Sequence, residues 1–241
     1  MRLAVDIGNT NTKVAWFEDK KLSNTKVFEA FPQEEIVQIL SDKKCKGTIV
    51  SSVKKLSLEF SDFLTQKQIL LFSALTPLPL KVDYATPKTL GVDRIAAAVG
   101  AKALFPGENV LCFDFGSCIT TEFVDHLGVY KGGSIAPGMN LRFKSMHTFT
   151  DQLPLIAPQQ ISSLPVTGNS TESCMVSGVV NGILFEIQGM ISYYELKYPN
   201  LKVVFTGGDA TYFESLLNMK IFVDPYLVLK GLNEILEYNA D

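Results

Sequence analysis

The chain reads as an α/β protein made of two similar halves, and two observations predict this. An apolar strand runs into Asp-x-Gly and a small polar turn at Leu3 to Thr12 (LAVDIGNTNT), and the same arrangement returns at Leu111 to Thr120 (LCFDFGSCIT). Behind each copy the order of the remaining elements also repeats. Glycine permits close backbone approach, and the N–H groups and hydroxyls of such a turn suit phosphate oxygens. Two facing copies would clamp a nucleotide's phosphates in a cleft, with a divalent metal between two carboxylates.

In the first half, alternation and β-branched content predict strands near 2–8, 11–17 and 22–28. A helix near 33–43 would bury Ile36, Ile39 and Leu40 on one face; a strand at 48–53, a short helix at 57–65 and a strand at 68–73 follow. Thr76 to Leu80 (TPLPL) cannot continue a helix and reads as an extended connection, after which a helix is expected from about Pro87 to Leu104. The second half predicts strands near 109–115, 119–125 and 128–135, then helices at 138–149 and 170–197. A strand at 202–206, a helix at 209–218, a short strand at 220–223 and a helix at 226–238 complete it. The segment from Asp151 to Asn169 has three prolines and no period, which reads as a long functional or mobile loop. Gly178, Gly182 and Gly189 interrupt the helix after Ser170, each costing about 1 kcal/mol against alanine. Close packing of that helix, within the domain or against a second subunit, is the expected compensation. Two hairpin-led units of this kind constitute a duplicated ribonuclease-H-like fold, with domains 1–107 and 108–241 joined near Phe105 to Asn109 (FPGEN).

Composition narrows the classes of function. A chain of 241 residues with 46% hydrophobic and 20% charged content can bury a sizeable core, which excludes disorder. A net charge of -3, with no basic stripe interleaved with aromatics, argues against nucleic acid as a partner. Lys43, Lys44, Lys46, Lys54 and Lys55 form the densest basic cluster, read as a solvated edge or an anion-attracting patch. The opening MRLAVDIG is a strand reaching its acid at position 6, not a signal peptide. No uncharged apolar run reaches the ~18 residues that span a bilayer, so the expectation is a cytoplasmic protein without membrane partners. Cys45, Cys112, Cys118 and Cys174 show no CxxC spacing, and His126 and His147 are too few for a multi-histidine metal site. GxxxxGK[ST] is absent, which excludes the P-loop.

The residues that could carry chemistry fall in five places. Asp6 ends an apolar strand and is followed by Gly8, Asn9, Thr10, Asn11, Thr12 and Lys13. This is either a hairpin whose Asn and Gly serve turn geometry, or a phosphate loop in which Asp6 orients hydrated Mg²⁺. Asp114, Gly116, Ser117, Cys118, Thr120 and Thr121 repeat it. A third acid lies in Leu90-Gly91-Val92-Asp93-Arg94, ahead of the Ala-rich IAAAVGAKAL. It is a surface ion pair, or a base that accepts the proton of a hydroxyl attacking a γ-phosphate, with Arg94 neutralising charge or binding the acceptor. Finally, FTGGDA at Phe205 to Ala210 and GGSIAPG at Gly132 to Gly138 offer side-chain-free surface to a ligand.

DIGNTNTK, LGVDR, DFGSCITT, GGSIAPG, the NST segment and FTGGDA together resemble, in order and spacing, the type III pantothenate kinases. That family belongs to the acetate and sugar kinase, Hsp70 and actin superfamily of actin-like ATPase folds. The resemblance runs end to end and implies ATP-dependent phosphorylation of pantothenate to 4'-phosphopantothenate, the first committed step toward coenzyme A. It implies that Asp6, Ile7, Gly8, Asn9, Thr10, Asn11, Thr12 and Lys13 bind ATP, with Ser117 also meeting ATP. Asp93 would be the catalytic base, and Tyr84, Gly91, Val92, Asp93 and Arg94 would contact pantothenate. Asp114 would hold a monovalent cation, K⁺ or NH₄⁺, beside the Mg²⁺ that accompanies ATP. The resemblance also implies a homodimer with the site at the subunit interface, where Thr171 reaches the neighbouring protomer's acceptor. Asp6, Asp93 and Asp114 would gather in one cation-filled crevice.

One departure is visible. Many relatives carry DFGTA where this chain has Asp114 to Cys118 (DFGSC), so Ser117 keeps the hydroxyl but loses the methyl that fixes its rotamer. Two other readings of the same residues are a kinase of this fold acting on another small alcohol, and an inactive accessory or regulatory relative.

Overall fold

The computed structural model describes residues 1–42, 44–158, 161 and 163–240. Lys43 of the basic cluster, and Gln159, Gln160 and Ser162 of the Asp151 to Asn169 segment, lie outside the described residues. The first half contains β1 (Arg2–Ile7), β2 (Asn11–Glu18), β3 (Lys21–Glu29), α1 (Gln33–Leu40), β4 (Gly47–Ser52), α2 (Leu58–Gln66), β5 (Leu70–Leu71), β6 (Lys81–Val82) and α3 (Val92–Leu104). The second contains β7 (Val110–Phe115), β8 (Cys118–Val124), β9 (Val129–Pro137), α4 (Met139–Phe149), α5 (Thr171–Val176), α6 (Gly182–Lys197), β10 (Lys202–Gly207), α7 (Ala210–Ser215), β11 (Phe222–Val223) and α8 (Leu227–Tyr238).

These elements build two mixed sheets, ordered β3-β2-β1-β4-β5 and β11-β10-β7-β8-β9-β6. In the first, β1 runs antiparallel to β2 and parallel to β4. Period-two alternation divides its apolar residues between two cores. Leu3, Val5 and Ile7 join Val14, Val50 and the inner faces of α1 and α2 (Ile36, Leu40, Phe60, Leu64). Ala4, Ala15 and Ile49 join the opposite core with Ile95, Val99, Leu229, Leu232 and Ile235 of α3 and α8. Each large aliphatic side chain buried here contributes roughly 1.5–3 kcal/mol. Ser57 caps α2, its hydroxyl accepting the Phe60 N–H at 3.1 Å.

Contacts group the chain into two compact units. The first comprises residues 1–110, 122–132 and 226–241, and the second 111–121 and 133–225. The switch at Val110/Leu111 falls three residues after the sequence-based boundary at 107/108, and α8 belongs to the first unit. Within the second unit Phe113, Phe115, Phe205 and Phe213 form an aromatic cluster, the Phe115 and Phe205 rings edge-to-face with centroids 4.8 Å apart and Phe213 stacked on Phe115.

In the first unit α3 and α8 pack backbone against backbone. A Cβ at Gly231 would run into the Ala96 carbonyl, and one at Gly100 into the Leu227 carbonyl, so the two backbones nearly touch. The Ala-rich run of α3 serves this approach: Ala96, Ala97, Ala98 and Ala101 are all fully buried.

Several expectations are corrected. The helix expected from Pro87 begins at Val92, because Leu90 and Gly91 are extended (ψ 127° and 133°) and Pro87–Thr89 forms a separate 3₁₀ turn. LGVDR therefore opens the helix rather than lying inside it. The strand at 68–73 shrinks to Leu70–Leu71, and β6, which was not anticipated, pairs in parallel with β9. At Gly178, Gly182 and Gly189 an added Cβ would meet nothing within 4 Å, so packing within the chain does not explain these glycines. The helix through Thr171–Lys197 is long and apolar enough to cross a membrane by length and composition, with half of its most apolar window buried in the protein. A wide π turn, Ser177–Asn181, interrupts it.

Replacing Gly231 by leucine should lower stability by at least about 2 kcal/mol, since overpacking against backbone cannot relax through a rotamer. Urea unfolding of the purified variant measures this, and an unchanged midpoint would contradict the backbone contact.

Candidate active site

The N-terminal turn is a short hairpin connection. Its Gly8 N–H donates to the Asn11 carbonyl at 3.0 Å, and the Ala30 N–H donates to the Thr10 carbonyl at 2.9 Å. Thr12 is buried and its hydroxyl donates to the Ala30 carbonyl at 2.7 Å, so this side chain secures the turn from inside. Asn9, Thr10 and Asn11 are exposed, while Ile7 is a core residue with only its backbone to offer a ligand. Asp6 is half-buried, on the sheet face of Ala4, and stands in register with Lys13 of β2 and Ser51 of β4.

At the start of α3 the Asp93 carboxylate accepts the Arg94 N–H at 2.9 Å and folds over Gly91, where a Cβ would come within 2.5 Å of Oδ1. Val92 packs against the α3–α8 core. Arg94 turns inward and is 7% exposed. Its Nε donates to Oε1 of Glu122 at 2.7 Å and its Nη2 to Oε2 at 3.0 Å. Glu122 is 0% exposed, and Oε2 also accepts the Tyr130 hydroxyl at 2.5 Å. Burial works against the Arg94 charge, but the hydrogen bond and charge of Glu122 outweigh it and hold the guanidinium protonated. Burial, then the Glu122 charge, pushes the Tyr130 phenol well above its ordinary range, so it stays a donor.

Tyr84 reaches this group through the unexpected strand. The β6–β9 pairing continues as an Asp83 N–H bond to the Tyr130 carbonyl at 2.9 Å, which lays the Tyr84 ring against Gly132. Gly132 has φ +92°, and a Cβ there would lie 3.3 Å from the ring. Tyr84 adds a hydrogen bond to the Arg94 group, and its ring centroid lies 6.1 Å from that of Tyr130. The structure thus brings Tyr84, Gly91, Val92, Asp93 and Arg94 together. It adds Glu122 and Tyr130, which the sequence reading did not name. Their signal was an acid in the otherwise apolar and hydroxylic strand ITTEFV.

In the second unit the turn after β7 is closed by the Gly116 N–H donating to the Cys118 carbonyl at 3.0 Å. The Gly138 N–H reaches the Ser117 carbonyl at 3.0 Å, so GGSIAPG braces this loop. Asp114 is half-buried on the face opposite Phe113 and Phe115. Gly207, at φ +93°, lies against it, and a Cβ would come within 2.5 Å of Asp114 Oδ1. Ser117 and Cys118 are exposed. Asp209 follows, its N–H donating to the Phe115 carbonyl at 3.3 Å, and burial raises its carboxyl above the usual range. Thr171 is exposed at the start of α5, where Ser170 and Ser173 form a reciprocal cap, and it lines an open cavity with Met146, Leu153 and Cys174.

Asp6 and Asp93 lie in the first unit and Asp114 in the second. Among the described residues, no three His, Cys, Asp or Glu side chains form a group that could hold a metal. Each loop instead presents a single carboxylate. That donor chemistry fits Mg²⁺ or a monovalent cation that takes its remaining ligands from phosphate oxygens and water.

The model of the family described as type III pantothenate kinase matches residues 2–193. A type III pantothenate kinase of Cytophaga hutchinsonii is 44% identical over 240 residues, covering all of both chains. That of Phocaeicola vulgatus is 41% identical over 99% of both. Among solved structures, the activator of the 2-hydroxyisocaproyl-CoA dehydratase from Clostridium difficile, with ADPNP bound, superposes with a TM-score of 0.54 at 14% identity, over 98% of this chain and 94% of that one. The fold is the α/β, duplicated ribonuclease-H-like architecture of the actin-like ATPases and sugar kinases. With full-length relatives at this identity and a family model over most of its length, the chain belongs to the type III pantothenate kinase family.

Proposed function

We propose that the chain transfers the γ-phosphoryl group of ATP to the hydroxyl of pantothenate, giving 4'-phosphopantothenate and ADP, the first committed step toward coenzyme A. Family membership supports this, and one observation carries it to residues. Asp93, Arg94 and Tyr84, expected at the acceptor, converge at the start of α3 although Tyr84 comes from the separate segment that follows β6.

In this reading the pantothenate hydroxyl oxygen bonds to the γ-phosphorus as the bridging bond to ADP breaks, and the hydroxyl proton passes to the Asp93 carboxylate. The transition state is loose, so positioning and charge neutralisation outweigh base strength. Arg94 and Tyr84 hold the acceptor. Asp6 to Lys13 and Ser117 bind the nucleotide through backbone N–H groups and the hydroxyls of Thr10 and Ser117; Thr12 acts by shaping the turn. Mg²⁺, when bound beside Asp6, neutralises charge on the phosphates, and Asp114 holds K⁺ or NH₄⁺.

We further propose a cytoplasmic homodimer with halves at 1–107 and 108–241 and the site at the subunit interface. Support comes from α6, where a Cβ added at Gly182 or Gly189 would meet nothing within 4 Å and where Phe185 (60%), Tyr193 (57%) and Leu196 (90%) stand exposed. The partner subunit's Thr171 would complete the acceptor site.

Three outcomes follow. In a coupled assay, Asp93→Asn lowers pantothenate-dependent ADP release at least about 100-fold with the fold intact; activity near the parent's would remove Asp93 as base. Asp114→Asn abolishes stimulation by K⁺ or NH₄⁺, and an unaltered cation titration would exclude it as the ligand. Phe185→Glu, placing a charge on the apolar face, yields a monomer in sedimentation with activity below about a tenth of the parent's; a fully active monomer would refute the interface site.

A further inference from the structure

We infer that Glu122 is a positioning residue for the acceptor: its buried carboxylate, held by Tyr130, sets the plane and rotation of the Arg94 guanidinium, which Tyr84 also meets, one residue along α3 from Asp93. The inference rests on the kinase reading and goes beyond it, assigning to Glu122 and Tyr130 a task carried out through Arg94.

A buried ion pair is usually no more stable than apolar side chains of the same volume, so a pair fully inside the first unit calls for a reason other than stability. Arg94 and Glu122 come from different elements, the start of α3 and the middle of β8, and both are almost wholly buried. Glu122 engages the guanidinium side-on, through Nε and Nη2, so the contact fixes both position and rotation about the long axis of the arginine. A lysine could supply the charge but not this fork. Tyr130, 1% exposed, places its hydroxyl on the same Oε2 that Nη2 uses, which keeps the carboxylate from rotating.

Charge bookkeeping sharpens the role. Arg94 and Glu122 cancel, and Tyr130 is kept neutral by its burial and by Glu122. Arg94 therefore serves less as a bare cation for the transferred phosphoryl group than as an oriented donor for the acceptor's polar groups. Of the two roles the sequence left open for Arg94, the network favours binding the acceptor. An effect confined to acceptor binding should appear in KM for pantothenate, leaving ATP binding alone.

The experiment measures full steady-state kinetics for parent, Glu122→Gln and Tyr130→Phe as the intact protein, varying pantothenate and ATP separately. Glu122→Gln is expected to raise the pantothenate KM at least about tenfold, the effect of misplacing one charge-assisted hydrogen bond, with the ATP KM within about twofold of the parent's. Tyr130→Phe should raise the same KM severalfold, and Glu122→Asp should leave it above the parent's because its shorter arm cannot span the fork. An unchanged pantothenate KM in folded Glu122→Gln, or a loss shared equally with ATP, overturns the inference. If Glu122→Gln does not fold, an unchanged KM in Tyr130→Phe overturns it. A parent protein that releases ADP without responding to pantothenate defeats the kinase reading itself, and Glu122's role falls with it; a responsive parent with unaffected variants defeats Glu122 alone.

Discussion

Helix α3 lies against α8 with no room for a side chain at Gly100 or Gly231, and the proposed acceptor site is set by this contact. Backbone-to-backbone packing leaves little freedom for sliding or rotation, because interiors resist even a methylene of change. The start of α3 is thereby fixed in height and azimuth, and with it Val92, Asp93 and Arg94. The alanines between them and the contact are the consequence: any larger residue on that face would lift the helix from the sheet that carries Asp6. The chain's last helix, far from LGVDR in sequence, is thus part of the frame that holds it.

Asp93 occupies a position that suits two states. At the first turn of a helix its negative charge is favourable, and its bond to the Arg94 N–H satisfies one of the unpaired donors found at every helix start. The same bond turns the carboxylate back over Gly91. Meeting an acceptor hydroxyl requires Oδ2 to take the proton while Oδ1 keeps its backbone donor, or a swing that gives up the cap. Catalytic hydrogen bonds commonly tighten only with substrate in place, and the glycine leaves the carboxylate space for this adjustment.

Much of the frame was legible because it depends on local signals. Period-two alternation gave the three hairpin strands of each half, and Asp-x-Gly gave the turns. LGVDR was legible as a motif but not as a place, since its sequence suits a helix throughout while Leu90 and Gly91 are extended. Strand β6 has two residues and no period to read; it exists because β9 offers an edge, and it is what carries Tyr84 to Arg94. Glu122 and Tyr130 were missed for the related reason that a buried charge declares itself only through its partner. The resemblance assigns Thr12 to the ATP-binding stretch with its neighbours, and its hydroxyl donates to the Ala30 carbonyl, a placement decided by strand pairing rather than by residue type.

Glycine carries two different messages in this chain, and the contrast bears on assembly. In α3 and α8 it marks a contact already made, where a Cβ would strike a carbonyl. Along Ser177 to Met190 it marks the reverse: Gly178, Gly182 and Gly189 face open space in the single chain, beside exposed Phe185 and a helix widened by a π turn. Three glycines within a helix carry a propensity cost of about 3 kcal/mol. A solvent-facing surface would gain nothing from them and would not retain large apolar side chains alongside. A second copy of the chain, approaching as closely as α8 approaches α3, would make both features useful at once. It would also place the cap of Ser170 and Thr171 near the new contact, since these residues begin the same helical stretch.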